Sequence, residues 1–207
     1  MPQRRNPRTV PDMIAAALLL VVVVAFRAVL GVTHMHDAGW LHNFSPVAAI
    51  ALCGAVYLPT RVAFVLPLLA LLLSDLAINL GYGVPLVNGA MLVRYIALGL
   101  VAALGFALRR NALAPRVIGA SVLGSIIFFL LTNTVSWLAE PAYAKDAVGW
   151  LAALTTGLPG VRPTTLEFFR NSLVSDLLFT ALFVFCMHSQ QAREDSAPVR
   201  QQQPARW

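Results

Sequence analysis

Residues 62–80 read VAFVLPLLALLLSDLAINL, an apolar segment interrupted by one carboxylate, Asp75. An α-helix needs roughly 20 predominantly apolar residues to cross the hydrocarbon core of a bilayer. The segment therefore predicts a membrane-spanning helix that carries an ionisable side chain within the membrane.

Apolar segments of the same kind lie on both sides of this one. The chain as a whole is 58% hydrophobic and only 12% charged, whereas a soluble domain carries roughly 25% charged residues. We predict an all-α membrane protein, a bundle of six transmembrane helices within residues 13–188, with a basic leader at 1–12 and a disordered polar tail at 189–207. The predicted helices lie near residues 13–30, 44–58, 62–80, 91–108, 117–138 and 166–188.

The basic residues of the loops predict the orientation of the bundle. Ten arginines fall on one side of the predicted membrane, and only Lys145 and Arg162 fall on the other. Because cytoplasmic loops carry the excess of Lys and Arg, both termini are expected in the cytoplasm. The net charge of +6 is thereby explained without a nucleic-acid partner, since no basic patch with interleaved aromatic residues is present.

Polar residues within or beside the helices are expected at one depth, just below the outer surface. An ionisable group at the bilayer centre costs on the order of 3 kcal/mol, so such groups usually face a cavity or each other. We predict an outward-facing pocket for a small molecule, with interhelical salt bridges as the alternative. Its helical residues are expected to be Asp75, Arg94, Asn133, Glu167, Arg170 and Asn171.

The outer loops supply further candidates. Trp137, Tyr143 and Arg162 lie in or beside the loop before the last helix, where the aromatic residues either anchor the protein at the membrane interface or stack on a ligand. The first outer loop contains His34, His36 and His42. Imidazole is a common metal ligand, although a solvated loop explains such spacing more often than a metal site does.

No catalytic spacing such as His-Glu-x-x-His or a nucleophile elbow is present. We therefore do not expect an enzyme. Two alternatives to a binding protein stay open. One is a membrane hydrolase or transferase with Asp75, Glu167 and a loop histidine as acid–base groups, and the other is a structural or assembly subunit.

Four short motifs resemble a family of small bacterial membrane proteins that is similar to the S components of energy-coupling-factor vitamin transporters. The motifs are NFSPVAAIAL at 43–52, LSD at 73–75, FFLLTN at 128–133 followed by Trp137, and FFRNSL at 168–173. The resemblance spans residues 13–188. It implies a six-helix bundle that captures a vitamin from outside the cell, and hence a substrate-binding transport protein without a cofactor of its own.

Within that class, the sequence is most similar to solitary S components for cobalamin, vitamin B12. The resemblance implies that His36 and Asp75 contact the ligand and that Asn88 stands where those proteins have a Cys near the cobalt. A histidine of the first outer loop, such as His36 or His42, could replace that Cys as cobalt ligand. The first predicted helix lacks the Ala-x-x-x-Ala pattern of S components that share an energising module, so docking onto such a module is unsupported.

Overall fold

The computed structural model describes residues 29, 44–83, 85, 87 and 89–196. Apart from Val29, the predicted helix at 13–30 lies outside this part of the chain, as does 197–207. The described residues form six α-helices and no β-strand. The helices are α1 (Val47–Tyr57), α2 (Thr60–Tyr82), α3 (Gly89–Leu108), α4 (Ala114–Ala139), α5 (Ala147–Leu154) and α6 (Thr165–Ser196).

Four of these helices contain segments long and apolar enough to cross a membrane: Thr60–Gly81, Gly89–Leu108, Ala114–Ala139 and Thr165–Ser189. Their outward surfaces carry large apolar side chains, such as Leu68 and Leu72 on α2, which are 44% and 38% exposed. An apolar surface of this extent is stable in contact with lipid, whereas in water it would promote aggregation. The protein is an all-α membrane bundle, as predicted, and the number of six transmembrane helices stays a prediction.

Helix α1 forms the centre of the bundle. It has 11 residues and is therefore about 16 Å long, roughly half of the thickness of the hydrocarbon core. All of its residues except Ala48 and Tyr57 are buried, and it contacts α2, α3, α4 and α6. The short predicted helix at 44–58 is thus a buried half-length helix enclosed by longer ones.

Helix α3 packs unusually closely on α1 because of Gly105. A Cβ atom at this position would lie 2.5 Å from the Leu52 carbonyl oxygen and 2.7 Å from the Ala55 Cβ. Small residues at such a crossing let two backbones approach within the membrane. The glycine therefore sets the distance between the two helices.

The C-terminal end of α1 is held by Arg109, which follows α3. Its Nε donates a hydrogen bond to the Ala55 carbonyl at 2.8 Å, and its Nη2 donates one to the Leu58 carbonyl at 2.6 Å. The last carbonyls of a helix have no partner within the helix and carry partial negative charge. A guanidinium at this end therefore supplies both hydrogen bonds and charge complementarity.

Two elements differ from the sequence-based expectation. The loop before the last helix contains α5, whose N-terminus is capped by Asp146, since its carboxylate accepts a hydrogen bond from the Gly149 amide at 2.8 Å. Helix α6 continues to Ser196, past the predicted end at residue 188. Polar residues outside a membrane can continue a helix that the apolar segment has already nucleated.

Candidate functional site

A cavity of about 720 Å³ lies at the end of the bundle where α3 and α6 begin and α4 ends. We call it the outer cavity, because the distribution of arginines predicts that this end faces outwards. Ligand sites for small molecules have volumes of roughly 300–1,000 Å³ and mostly apolar or aromatic walls. The outer cavity lies within that range.

Four phenylalanines form the apolar wall of the outer cavity. Phe128 and Phe129 come from α4, and Phe168 and Phe169 come from α6. The rings of Phe129 and Phe169 contact each other with their centroids 4.4 Å apart. Such a wall suits a ligand with a flat or apolar body, since aromatic rings prefer stacked or edge-to-face partners.

Six polar residues also line the outer cavity. They are Arg94 of α3, Thr132, Asn133 and Ser136 of α4, Glu140, which follows α4, and Ser172 of α6. The Asn133 amide donates to the Phe129 carbonyl at 2.8 Å, a bond that fixes its orientation on the helix. A small number of well-placed polar groups in an apolar cavity is the arrangement that gives a binding site specificity.

Arg94 is positioned by the carboxylate of Asp75. The Asp75 Oδ2 atom accepts hydrogen bonds from Arg94 Nε at 3.2 Å and from Arg94 Nη2 at 3.0 Å. Asp75 is 2% exposed, whereas Arg94 is 28% exposed and lines the cavity. A guanidinium has five N–H donors, and its Nη1 makes no hydrogen bond within the described part of the chain. The ion pair thus satisfies the buried carboxylate and leaves Arg94 able to bind an anionic or carbonyl oxygen.

Glu167 has a structural role at the start of α6. Its Oε2 accepts hydrogen bonds from the Thr164 amide at 2.6 Å and from the Thr164 hydroxyl at 2.8 Å, while the Glu167 amide donates to the Thr164 hydroxyl at 3.3 Å. This reciprocal arrangement is a capping box. Arg162 adds an ion pair at 3.8 Å, and neither Glu167 nor Arg162 lines the outer cavity.

The remaining described candidates lie beside the outer cavity and do not line it. Trp137 donates from Nε1 to the Ala144 carbonyl at 2.7 Å and so holds the loop after α4. Arg170 donates to the side-chain oxygen of its neighbour Asn171, which is 3% exposed. Burial raises the pKa of the Tyr143 hydroxyl, and the charge of Glu140 raises it further, so this phenol stays neutral at physiological pH.

The candidates His34, His36, His42 and Asn88 lie outside the described residues. Their predicted roles as metal, cobalt or ligand contacts stay predictions. Within 44–83 and 89–196, no group of three or more His, Cys, Asp or Glu residues comes together in the way a metal site requires.

The sequence reasoning missed the aromatic wall and Glu140. The sequence does contain a pattern that indicates the aromatic wall, because Phe128-Phe129 and Phe168-Phe169 are paired phenylalanines at the same predicted depth. Apolar residues in an apolar helix attract no attention when a site is sought through its polar residues. Aromatic pairs beside Asn133 and Asn171 are the feature that could have identified it.

A family model matches residues 8–197, and its description is "Family of unknown function (DUF6580)". The chain belongs to this family. The match includes all six described helices and every residue of the outer cavity. No curated protein and no solved structure matches the chain.

Proposed function

We propose that the protein is a substrate-binding membrane transport protein, which takes up a small vitamin-like molecule through the outer cavity. In this proposal both termini lie in the cytoplasm and the protein resides in a bacterial inner membrane, so the outer cavity opens to the outside. The positive-inside distribution of arginines supports that orientation.

The outer cavity is the observation that carries this proposal. A subunit whose polar residues only hold helices together has no need of a 720 Å³ cavity. Arg94 lies at the edge of this cavity with donors that Asp75 does not use. Charge-assisted hydrogen bonds from a guanidinium are among the stronger polar contacts that a ligand can make.

The lining predicts the chemistry of the molecule. Phe128, Phe129, Phe168 and Phe169 favour a flat or apolar body, and Arg94 favours a carboxylate, phosphate or carbonyl group. Cobalamin, the specific candidate from the resemblance, combines a flat ring system with amide and phosphate groups. It is larger than a drug-sized ligand, so in this proposal part of it projects from the outer cavity.

The test is mass spectrometry of small molecules that co-purify with the detergent-solubilised full-length protein. We expect one small molecule enriched with the wild type, depleted in Arg94→Gln, and retained in Arg116→Ala, which removes an exposed arginine at the opposite end of α4. Cobalamin would also colour the preparation. If wild type and Arg94→Gln carry the same small molecules in the same amounts, the outer cavity is not a binding site and the proposal is wrong.

A further inference from the structure

A second, smaller cavity of about 40 Å³ lies directly beneath the outer cavity. We call it the central cavity, because its lining residues Leu71, Leu98, Ser125 and Asp176 each lie near the middle of a membrane-spanning segment. Phe128 and Ser172 line both cavities. One water molecule needs roughly 10–15 Å³ of such space, so the central cavity has room for a few waters adjoining the outer one.

Two buried oxygen atoms in the lining residues of the central cavity have no hydrogen-bond partner among the described residues. One is Oδ1 of Asp176, a residue that is 4% exposed, and the other is the hydroxyl oxygen of Ser45. No Lys, Arg or His in the described part of the chain forms an ion pair with Asp176. A buried polar atom without a partner is uncommon in proteins and calls for a specific explanation.

The other carboxylate oxygen of Asp176 contacts Ser125 in a way that fits either protonation state. The Ser125 hydroxyl lies 2.6 Å from Asp176 Oδ2 and 3.0 Å from the Ser121 carbonyl oxygen. A serine has only one proton to donate. It can donate a hydrogen bond to an ionised Asp176. Alternatively, it can donate a hydrogen bond to the Ser121 carbonyl and accept one from a neutral Asp176.

The described residues around Asp176 are mostly uncharged. Helix α1 contributes the backbone amide of Ala49 and the thiol of Cys53, which lie near the carboxylate without forming a hydrogen bond to Oδ1. Helices α2 and α3 contribute Leu71 and Leu98, while α4 contributes Ser125 and Phe128. Asp75 and Arg94 pair with each other, and neither lines the central cavity. The amides at the start of α1 favour a negative charge, and the low polarity of the bundle centre favours a neutral group.

We propose that Asp176 is a proton-binding site served by the outer cavity. A proton from water in the outer cavity passes Ser172, reaches Asp176 Oδ1 through water in the central cavity, and converts the carboxylate into a carboxylic acid. A half-turn of the carboxyl group then places this proton beside Ser125. Release returns the proton by the same route to water in the outer cavity and restores the carboxylate. This proton site does not rest on the proposed function.

Infrared difference spectroscopy of the purified full-length protein tests the site without any added molecule. The carbonyl stretch of a carboxylic acid is separate from the bands of carboxylates and amides. We expect a carboxylic acid band that disappears as the pH is raised, is absent in Asp176→Asn, is shifted in Ser125→Ala, and is unchanged in Asp146→Asn. If Asp176→Asn fails to fold, the shift in Ser125→Ala decides the assignment.

A pH-jump measurement on the same band tests the route. Ser172→Leu fills the junction between the two cavities and should slow the response of the band to the pH jump. Ser136 lines the outer cavity alone, so the band should respond faster in Ser136→Leu than in Ser172→Leu. Three results would overturn the proposal: no acid band at any pH at which the protein stays helical, an acid band that Ser125→Ala leaves unmoved, or equal rates in the two leucine variants. None of these depends on whether a small molecule co-purifies.

Discussion

Substituting Gly105 by alanine should destabilise the bundle, because this position sets the approach of α3 to α1. The added Cβ would lie 2.5 Å from the Leu52 carbonyl oxygen and 2.7 Å from the Ala55 Cβ, both too close for ordinary contact. The Leu52 carbonyl belongs to a helix that is buried on all sides, so neither backbone can move without repacking its neighbours. Inserting one methyl group into a packed core costs about 1–3 kcal/mol.

Gly99 provides the matched control, because it is an exposed glycine of the same helix with no atom within 4 Å of a Cβ built upon it. Alanine is favoured over glycine within a helix by about 0.5–1 kcal/mol. The free energies of unfolding of Gly105→Ala and Gly99→Ala should therefore differ by about 1.5–4 kcal/mol. Titration of each purified variant with a denaturing detergent, followed by circular dichroism, measures this difference. Equal stability of the two variants would refute the close approach of α1 and α3.

Three further predictions concern the polar contacts. Arg109→Ala should lower the free energy of unfolding by about 1–3 kcal/mol, since the Ala55 carbonyl of α1 and the Leu58 carbonyl that follows it lose their donor. Arg110→Ala, at an exposed position, should change it little. Detergent titration compares the two variants, and equal effects would contradict the cap. Asp75→Asn should reduce the amount of the co-purifying small molecule several-fold while the protein still accumulates, because Arg94 loses its ionic partner. Quantitative mass spectrometry measures this amount, and full retention of the molecule would show that the ion pair does not position Arg94. Glu167→Ala should lower the free energy of unfolding by about 1 kcal/mol through the lost cap and leave the amount of bound small molecule unchanged. Depletion of the small molecule in this variant would instead indicate that Glu167 contacts it.

The sequence predicts which segments are helical because backbone N–H and C=O groups without hydrogen-bond partners are very unfavourable in lipid. Segments such as 62–80 have no stable alternative to a helix in a membrane, and α2 contains that whole segment. The same reasoning predicts depth, and it correctly expected Asp75 and Arg94 at one level. The shortness of the segment 44–58 favours a helix that is tilted or partly sheltered by its neighbours, but it does not indicate which helices enclose it.

The sequence does not predict how each helix is rotated about its axis. Arg170 is exposed, Asn171 is buried and Ser172 lines the outer cavity, although the three residues are consecutive. Neighbouring positions of an α-helix point about 100° apart, and lipid and protein neighbours are both apolar. Which of these residues reaches the cavity is therefore decided by packing between helices. Depth alone placed Arg170 and Asn171 in the pocket together with Asn133.

Local hydrogen bonding explains another part of the difference between the predicted pocket residues and the residues that line the outer cavity. The pattern Thr164-x-x-Glu167 before an apolar segment is a capping box that can be recognised in a sequence. Glu167 was assigned to the pocket because it is charged and lies at the right depth. Its carboxylate is instead occupied by the amide and hydroxyl of Thr164.

An experimental structure of the protein as purified, with its co-purifying molecules retained, tests the central claim most directly. We predict density for a small molecule between α3, α4 and α6, with its flat or apolar part against Phe129 and Phe169 and an oxygen atom within hydrogen-bond distance of Arg94. An outer end in which side chains fill this space, with Arg94 turned away from it, would contradict the account.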